Sequence, residues 1–281
     1  MYHRSLLFIS IIIIVLTSGC GRKSDIEKRV QPITQFSLGS AKFAGFQKPP
    51  TAEELIITVE KLYDSFDSVA MTTKNTSQNV KKYSYGADNQ AHDIELDLDE
   101  SVCDTRFVKP DKSLYLDRQK NGYLYDVTNG NTGYSYFQPE NTYIALDNPT
   151  SKDPHRRIID LTDILPRNNE RIITMLLSEK RLGTTDTYAL EMHLKTRKYS
   201  GKWVDDKIKT VYLGKDDLLP RKIESVELHL GEDAKIEGLP QNNETQVFLG
   251  FVANTKIPGS LFTIKLPKNA RPMKSLNQLN N

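Results

Sequence analysis

Asp93-Ile94-Glu95-Leu96-Asp97-Leu98-Asp99 alternates carboxylate and aliphatic at every step. Successive side chains of an extended chain point to opposite faces, so a period of two marks a β-strand with one face on a core and one in water. The stretch reads as such a strand, and the sequence after it keeps the same character. Residues 113–117 lead into Lys120-Asn121-Gly122, residues 123–128 into Asn129-Gly130, and residues 132–138 into Pro139-Glu140-Asn141, before a last run at 142–146. Asn-Gly supplies the positive backbone angles that tight hairpins need. This half of the chain predicts an antiparallel meander.

Strand-like runs resume at 187–196, 208–213, 221–230, 245–252 and 261–266. About ten or eleven strands result, and no repeat of roughly 20–50 residues marks a propeller or solenoid. The pattern predicts a mainly β (α+β) fold built on one large, curved antiparallel sheet. Such a sheet must cover its apolar face. Two segments offer cover. Thr51 is a candidate N-cap, Glu53 and Glu54 follow in the first turn, and Leu55, Ile56, Val59, Leu62, Tyr63 and Phe66 recur at helical spacing. A second helix is expected at about 168–179, after Pro166 and before Gly183, with Ile172, Ile173, Leu176 and Leu177 as its apolar residues. Leu55, Val59, Leu62 and Phe66 of the first helix, with Ile173 and Leu177 of the second, are the expected contacts of a lid over an apolar cavity. A core packed solid, with no ligand volume, is the competing expectation.

The N-terminus has a different grammar. A short basic start precedes an almost continuous apolar run of about eleven residues at 6–16, then Thr17-Ser18-Gly19-Cys20. That is the layout of a secretory signal, and its core is shorter than the roughly twenty residues that cross a bilayer as a helix. The small pair before Cys20 resembles the lipobox of a bacterial lipoprotein, with Thr17 where Leu is favoured. The resemblance implies cleavage before Cys20 and lipidation there, hence a membrane anchor as partner. Gly21, in place of the Asp that retains such proteins in the inner membrane, favours the outer membrane facing the periplasm. The expected organisation is a signal peptide at 1–19, a lipidated flexible tether at 20–50, one domain at 51–270 and a tail at 271–281.

Composition narrows the function classes. The net charge is +2 and the isoelectric point near 8.3, so nothing calls for nucleic acid. Hydrophobic residues make up 38% of the 281, and the mean hydropathy of −0.51 fits a globular body. Cys103 is the only cysteine besides Cys20 and reads as a half-buried strand residue with no activating neighbour. His3, His92, His155, His193 and His229 do not pair at metal-ligand spacing. The carboxylates of 93–99 lie about 7 Å apart on an extended strand, too spread to wrap a cation. No nucleophile elbow, phosphate loop or dinucleotide fingerprint occurs. No cofactor and no covalent chemistry is expected. Trp203 has two readings, an aromatic at the mouth of a cavity or a strand-end packing residue. Lys152, His155, Arg156 and Arg157 form a basic loop cluster that could meet an anionic headgroup or simply be solvated.

The order of these features resembles the superfamily of bacterial lipoprotein carriers and lipoprotein-sorting proteins, LolA and LolB with their relatives. Residues 54–66 resemble its opening helix. Phe107-Val108-Lys109-Pro110-Asp111 followed by Leu114-Tyr115-Leu116 resembles its phrase of aromatic, basic-Pro and strand. Asn129-Gly130 before Tyr134 and Tyr136, with Pro139 and Tyr143, resembles its hairpin stretch. Leu218-Leu219-Pro220-Arg221-Lys222-Ile223 resembles its entry into a late strand. The similarity spans about 51–267. It implies an unclosed half-barrel covered by one or two amphipathic helices, whose activity is to hold acyl chains or other hydrophobic cargo. A structural or interaction protein of the envelope is the alternative, with a protein partner in place of a ligand.

Overall fold

The computed structural model describes residues 28–85, 91–130, 132–147, 171–197, 203–228, 240–263 and 265–273. The chain divides into Met1–Gln31 and Pro32–Asn281. Only residues 28–31 of the first unit are described, and the second carries the fold.

Among the described residues the sheet has thirteen strands. After a two-residue strand β1 (Phe36–Ser37) and helix α1 (Ala52–Asp64), the long hairpin β2 (Ser68–Tyr85) and β3 (Ala91–Val108) opens a meander. It continues through β4 (Lys112–Gln119), β5 (Gly122–Asn129), β6 (Thr132–Phe137) and β7 (Thr142–Asp147). A second meander runs through β8 (Arg171–Leu182), β9 (Thr185–Arg197), β10 (Trp203–Gly214), β11 (Pro220–Leu228) and β12 (Pro240–Ala253). A short strand β13 (Arg271–Pro272) pairs in parallel with β7. The order across the sheet is β13-β7-β6-β5-β4-β3-β2-β12-β11-β10-β9-β8. Each meander starts or ends at the middle, where β2 and β12 pair antiparallel from Val69–Ala253 to Asn79–Asn242. At the end of this seam Asn254 N donates to Ser68 O at 2.8 Å, and the Ser68 hydroxyl donates to Thr255 O at 2.6 Å. The sheet does not close, and α1 covers part of one face: an unclosed half-barrel.

Both faces carry a core. On one, α1 lies over Val69, Met71, Leu190, Met192, Val211, Leu213, Phe248 and Phe251. On the other, Leu114, Leu116, Tyr125, Val127 and Tyr136 are buried together with Leu261 and Phe262 of a 3-10 turn, Gly259–Thr263. The rings of Tyr125 and Tyr136 stand 5.1 Å apart and those of Tyr123 and Tyr125 5.9 Å. Beside this second core Asp104, fully buried, accepts from Thr72 and Arg118, with Arg106 3.6 Å away. Arg106 also donates to Met71 O at 3.0 Å.

Four expectations need correction. The helix at 168–179 is absent from its described part, residues 171–179, which belong to edge strand β8. The continuous run Ile172-Ile173-Thr174-Met175-Leu176-Leu177 satisfies both periods, and its β-branched residues together with pairing to Leu190, Met192 and Leu194 decide for the strand. Residues 261–263 form the 3-10 turn, not a strand. The tether is shorter than 20–50. Phe36 and Ser37 pair in parallel with Phe251 and Val252, and Phe36, Leu38, Ala41, Phe43 and Phe46 pack on the core. Gly250 permits this crossing, because a Cβ there would lie 2.4 Å from Ile33 O and 2.7 Å from Thr34 N. Finally, residues 95–100 are exposed on both faces, so the alternating strand buries neither. The β2–β3 hairpin outruns β4, and among the described residues nothing covers its aliphatic side there.

Candidate functional site

Helix α1 is fixed at both ends. Thr51 Oγ1 accepts from Glu54 N at 3.2 Å while Thr51 N donates to Glu54 Oε2 at 2.9 Å, a reciprocal capping box. Near the other end the Tyr63 hydroxyl donates to Leu218 O at 3.0 Å, and burial pushes that phenol far above its ordinary range. Tyr63 sits 5.3 Å from the ring of Phe66 and stacks on Phe251 at 6.2 Å. Leu55, Val59, Leu62 and Phe66 are all buried in this core. They are brought together as expected, but as packed core side chains.

Ile173 and Leu177 join the same apolar body from β8 rather than from a helix. They lie half-buried against it. Their neighbour on that face, Met175, is 40% exposed although its cross-strand partner Met192 is buried. Ile57 of α1 is 42% exposed. Phe43 and Phe46, half-buried at a ring separation of 5.3 Å, add aromatic surface, with Phe46 edge-on to Tyr188 at 5.8 Å. The apolar face thus extends past the helix as a partly covered shelf. Sequence reasoning missed Met175, Phe43 and Phe46. The signal for the phenylalanines was their spacing, three apart in a stretch with no sustained period. Met175 was hidden by the helical reading of β8.

The opposite half of that face, across β2 to β5, is polar. Cys103 is buried, receives Asn75 Nδ2 at 3.1 Å, donates to Asp117 Oδ1 at 3.2 Å, and lies 3.1 Å from the Tyr115 hydroxyl. Burial pushes its thiol up to about 11, with the Tyr115 hydrogen bond pulling back and the Asp117 charge adding to the rise. A thiol so protonated is no nucleophile. Nearby a cleft of about 630 Å³ opens between the middle of β3 and the β4–β5 turn, lined by Asn75, Ser77, residues 98–101 and residues of that turn. None of Leu55, Val59, Leu62 and Phe66 lines it.

Trp203 is the half-buried first residue of β10, opposite Arg197. It is not part of the apolar core cluster. His193 lies 2.6 Å from Glu191 Oε1 and 3.4 Å from Asp205 Oδ1. Among the described residues no group of three or more His, Cys, Asp or Glu could hold a metal ion, and no helix is long and apolar enough to cross a membrane. Cys20 and the basic cluster Lys152, His155, Arg156 and Arg157 lie outside the described residues.

No protein-family model matches the chain, and no curated protein sequence does. Among solved structures it is similar to a DUF1329 family protein from Desulfovibrio piger, at 12% identity and a TM-score of 0.32, over 75% of this chain and 95% of that one. A similarity this distant carries no argument about function.

Proposed function

We propose that this protein is a lipid-anchored protein of the cell envelope that binds or transfers an apolar chain, from a lipid or a lipoprotein's acyl groups, without covalent chemistry. The observation that supports this reading is the shelf at the β8 edge. Ile173, Met175 and Leu177 continue the apolar face beyond α1, and Met175 and Ile57 remain exposed. Exposed aliphatic surface continuous with a core is what an extended hydrocarbon chain can cover. The resemblance of the feature order to the LolA and LolB relatives points the same way. So does Cys20 behind its signal, and Gly21 after it favours the outer membrane. A tethered domain does not diffuse between membranes, so its role matches the resident or receiving members of that superfamily.

A second reading is favoured by a different observation. Leu55 and Phe66 are wholly buried and the polar cleft lies elsewhere. A helix packed this tightly suits an interaction protein with a solid core. One experiment separates the two. Mature protein is titrated with a fluorescent C16 fatty acid, and its co-purifying lipids are extracted for mass spectrometry. The carrier reading expects binding, and a loss of at least tenfold in Met175→Asp with the melting temperature nearly unchanged, since the side chain is exposed. Absence of both extracted lipid and fatty-acid binding would leave the interaction reading in place.

A further inference from the structure

The stretch Asp93 to Asp99 is left over from everything above. β3 pairs with β4 only over 102–108, whereas its pairing with β2 runs on to Ala91. Residues 95–101 therefore have a strand on one side and, among the described residues, none on the other. Alternate residues of such an edge direct N–H and C=O groups outward. Every residue of 95–100 is exposed, with Leu98 at 55%. The 630 Å³ cleft lies along this edge. Leu98, Asp99, Glu100 and Ser101 line it from β3, Asn75 and Ser77 from β2, and Gln119, Lys120 and Asn121 close it where β4 turns away. The cleft thus opens over the β2–β3 face and onto the edge that a longer β4 would have paired.

Exposed edges are normally blunted by charged side chains, proline or a bulge. Residues 95–101 contain neither lysine nor proline but carry four carboxylates; the β2–β3 ladder is irregular at Val80/Lys82, opposite Leu96 and Glu95, and regular from there to Ser101. Among the described residues the edge is unpaired, and its chemistry is two-sided. Leu96, Leu98 and Glu100 stand on one face, Glu100 paired with Lys74 at 2.8 Å, and Glu95, Asp97 and Asp99 stand on the other. Asp97 is held by Lys81 at 3.3 Å, and Asp99 makes no ion pair among the described residues. These carboxylates repel an anionic bilayer or a nucleic acid.

We propose that this lane receives an extended segment of a partner protein as an added strand, antiparallel to β3, with basic residues alternating with aliphatic ones. Main-chain hydrogen bonds along 95–101 hold it, while alternate side chains meet Leu96 and Leu98 on one face and Asp97 and Asp99 on the other. This is a recognition surface separate from the apolar shelf, and it stands whether or not the protein carries lipid.

The probe is a dye-labelled peptide, Lys-Val-Lys-Val-Lys-Val-Lys, added to the full mature protein at physiological salt. Its control has the same composition in blocks, four Lys then three Val. The alternating peptide should bind at least tenfold more tightly than the block peptide, as read by fluorescence anisotropy. It should also slow amide hydrogen exchange at residues 95–101 of the wild-type chain. Asp99→Lys should weaken it at least tenfold with an unchanged melting temperature. Equal binding of the two peptides would reduce the effect to charge attraction and overturn the proposal. Exchange slowed elsewhere on the chain, or a dimer whose 95–101 amides are already protected by a second copy, would overturn it as well.

Discussion

Cys103 and Asp104 are adjacent in sequence and face opposite sides of the sheet, and each is buried there by a different polar set. Cys103 is legible in the sequence as a half-buried strand residue, but its polar partners and the burial of the neighbouring charges are not. In fact Asp104 and Arg106 are buried against each other and Thr72, while the aliphatic residues a few positions earlier are exposed. The alternation was read correctly, but which face was wet depended on neighbours that β3 gains at one end and loses at the other. The thiol is the testable case. Its ordinary value of 9.0 rises to about 11 in the fold, chiefly by burial. A raised folded value means that the thiol's contribution to stability is complete below about pH 9 and is lost as pH climbs towards 11. In a chain carrying Cys20→Ala, iodoacetamide labelling of Cys103 at pH 9 should therefore be at least about tenfold slower in the native than in the urea-unfolded protein. Equal rates would mean an accessible, ionised thiol.

At the scale of elements, α1 was the most legible part. Its N-cap, acidic first turn and apolar spacing are local signals, and all of them are realised. The Asn-Gly hairpins of the first meander are local too. β8 was misread because a continuous apolar run carries no period of its own, and only the partner strand resolves it. β1 and the phenylalanines at 43 and 46 were misread because two to four ordered residues at a time leave too little pattern. The core beneath α1 makes a direct prediction. Leu62 is 8% exposed among aromatic and aliphatic neighbours, so Leu62→Asp buries an unpaired carboxylate and should cost several kcal/mol. Thermal denaturation should show loss of the cooperative transition or a fall of ten degrees or more in Tm. A variant that melts normally would mean that α1 is not seated on that core.

At the scale of the molecule, the order of helix, meander and second meander was legible, but the helix expected between the two meanders is a strand over its described part. The sheet order was not legible, because which meander edge meets which is a long-range choice that no local motif encodes. The anchor belongs to this scale. If Cys20 carries lipid, Cys20→Ala in the full-length chain should move the protein from the membrane to the soluble fraction on cell fractionation without changing its melting temperature. An unchanged membrane share would assign attachment to something other than the lipid.

The seam between β2 and β12 has a further consequence for how this chain is born. Its paired residues, such as Val69 and Ala253, are separated by roughly 180 positions, so closing it carries the loop entropy of nearly the whole chain. The strands at the middle of the sheet come from the two ends of the domain, and the outermost strand β8 comes from the middle of the chain. A chain emerging amino end first can pair β2 with β3, but the other edge of β2 stays open until residues 240–253 appear. Completion of the sheet therefore waits for β12, and until then the nascent chain presents that edge of β2, with Val69 and Met71, to chaperones and proteases.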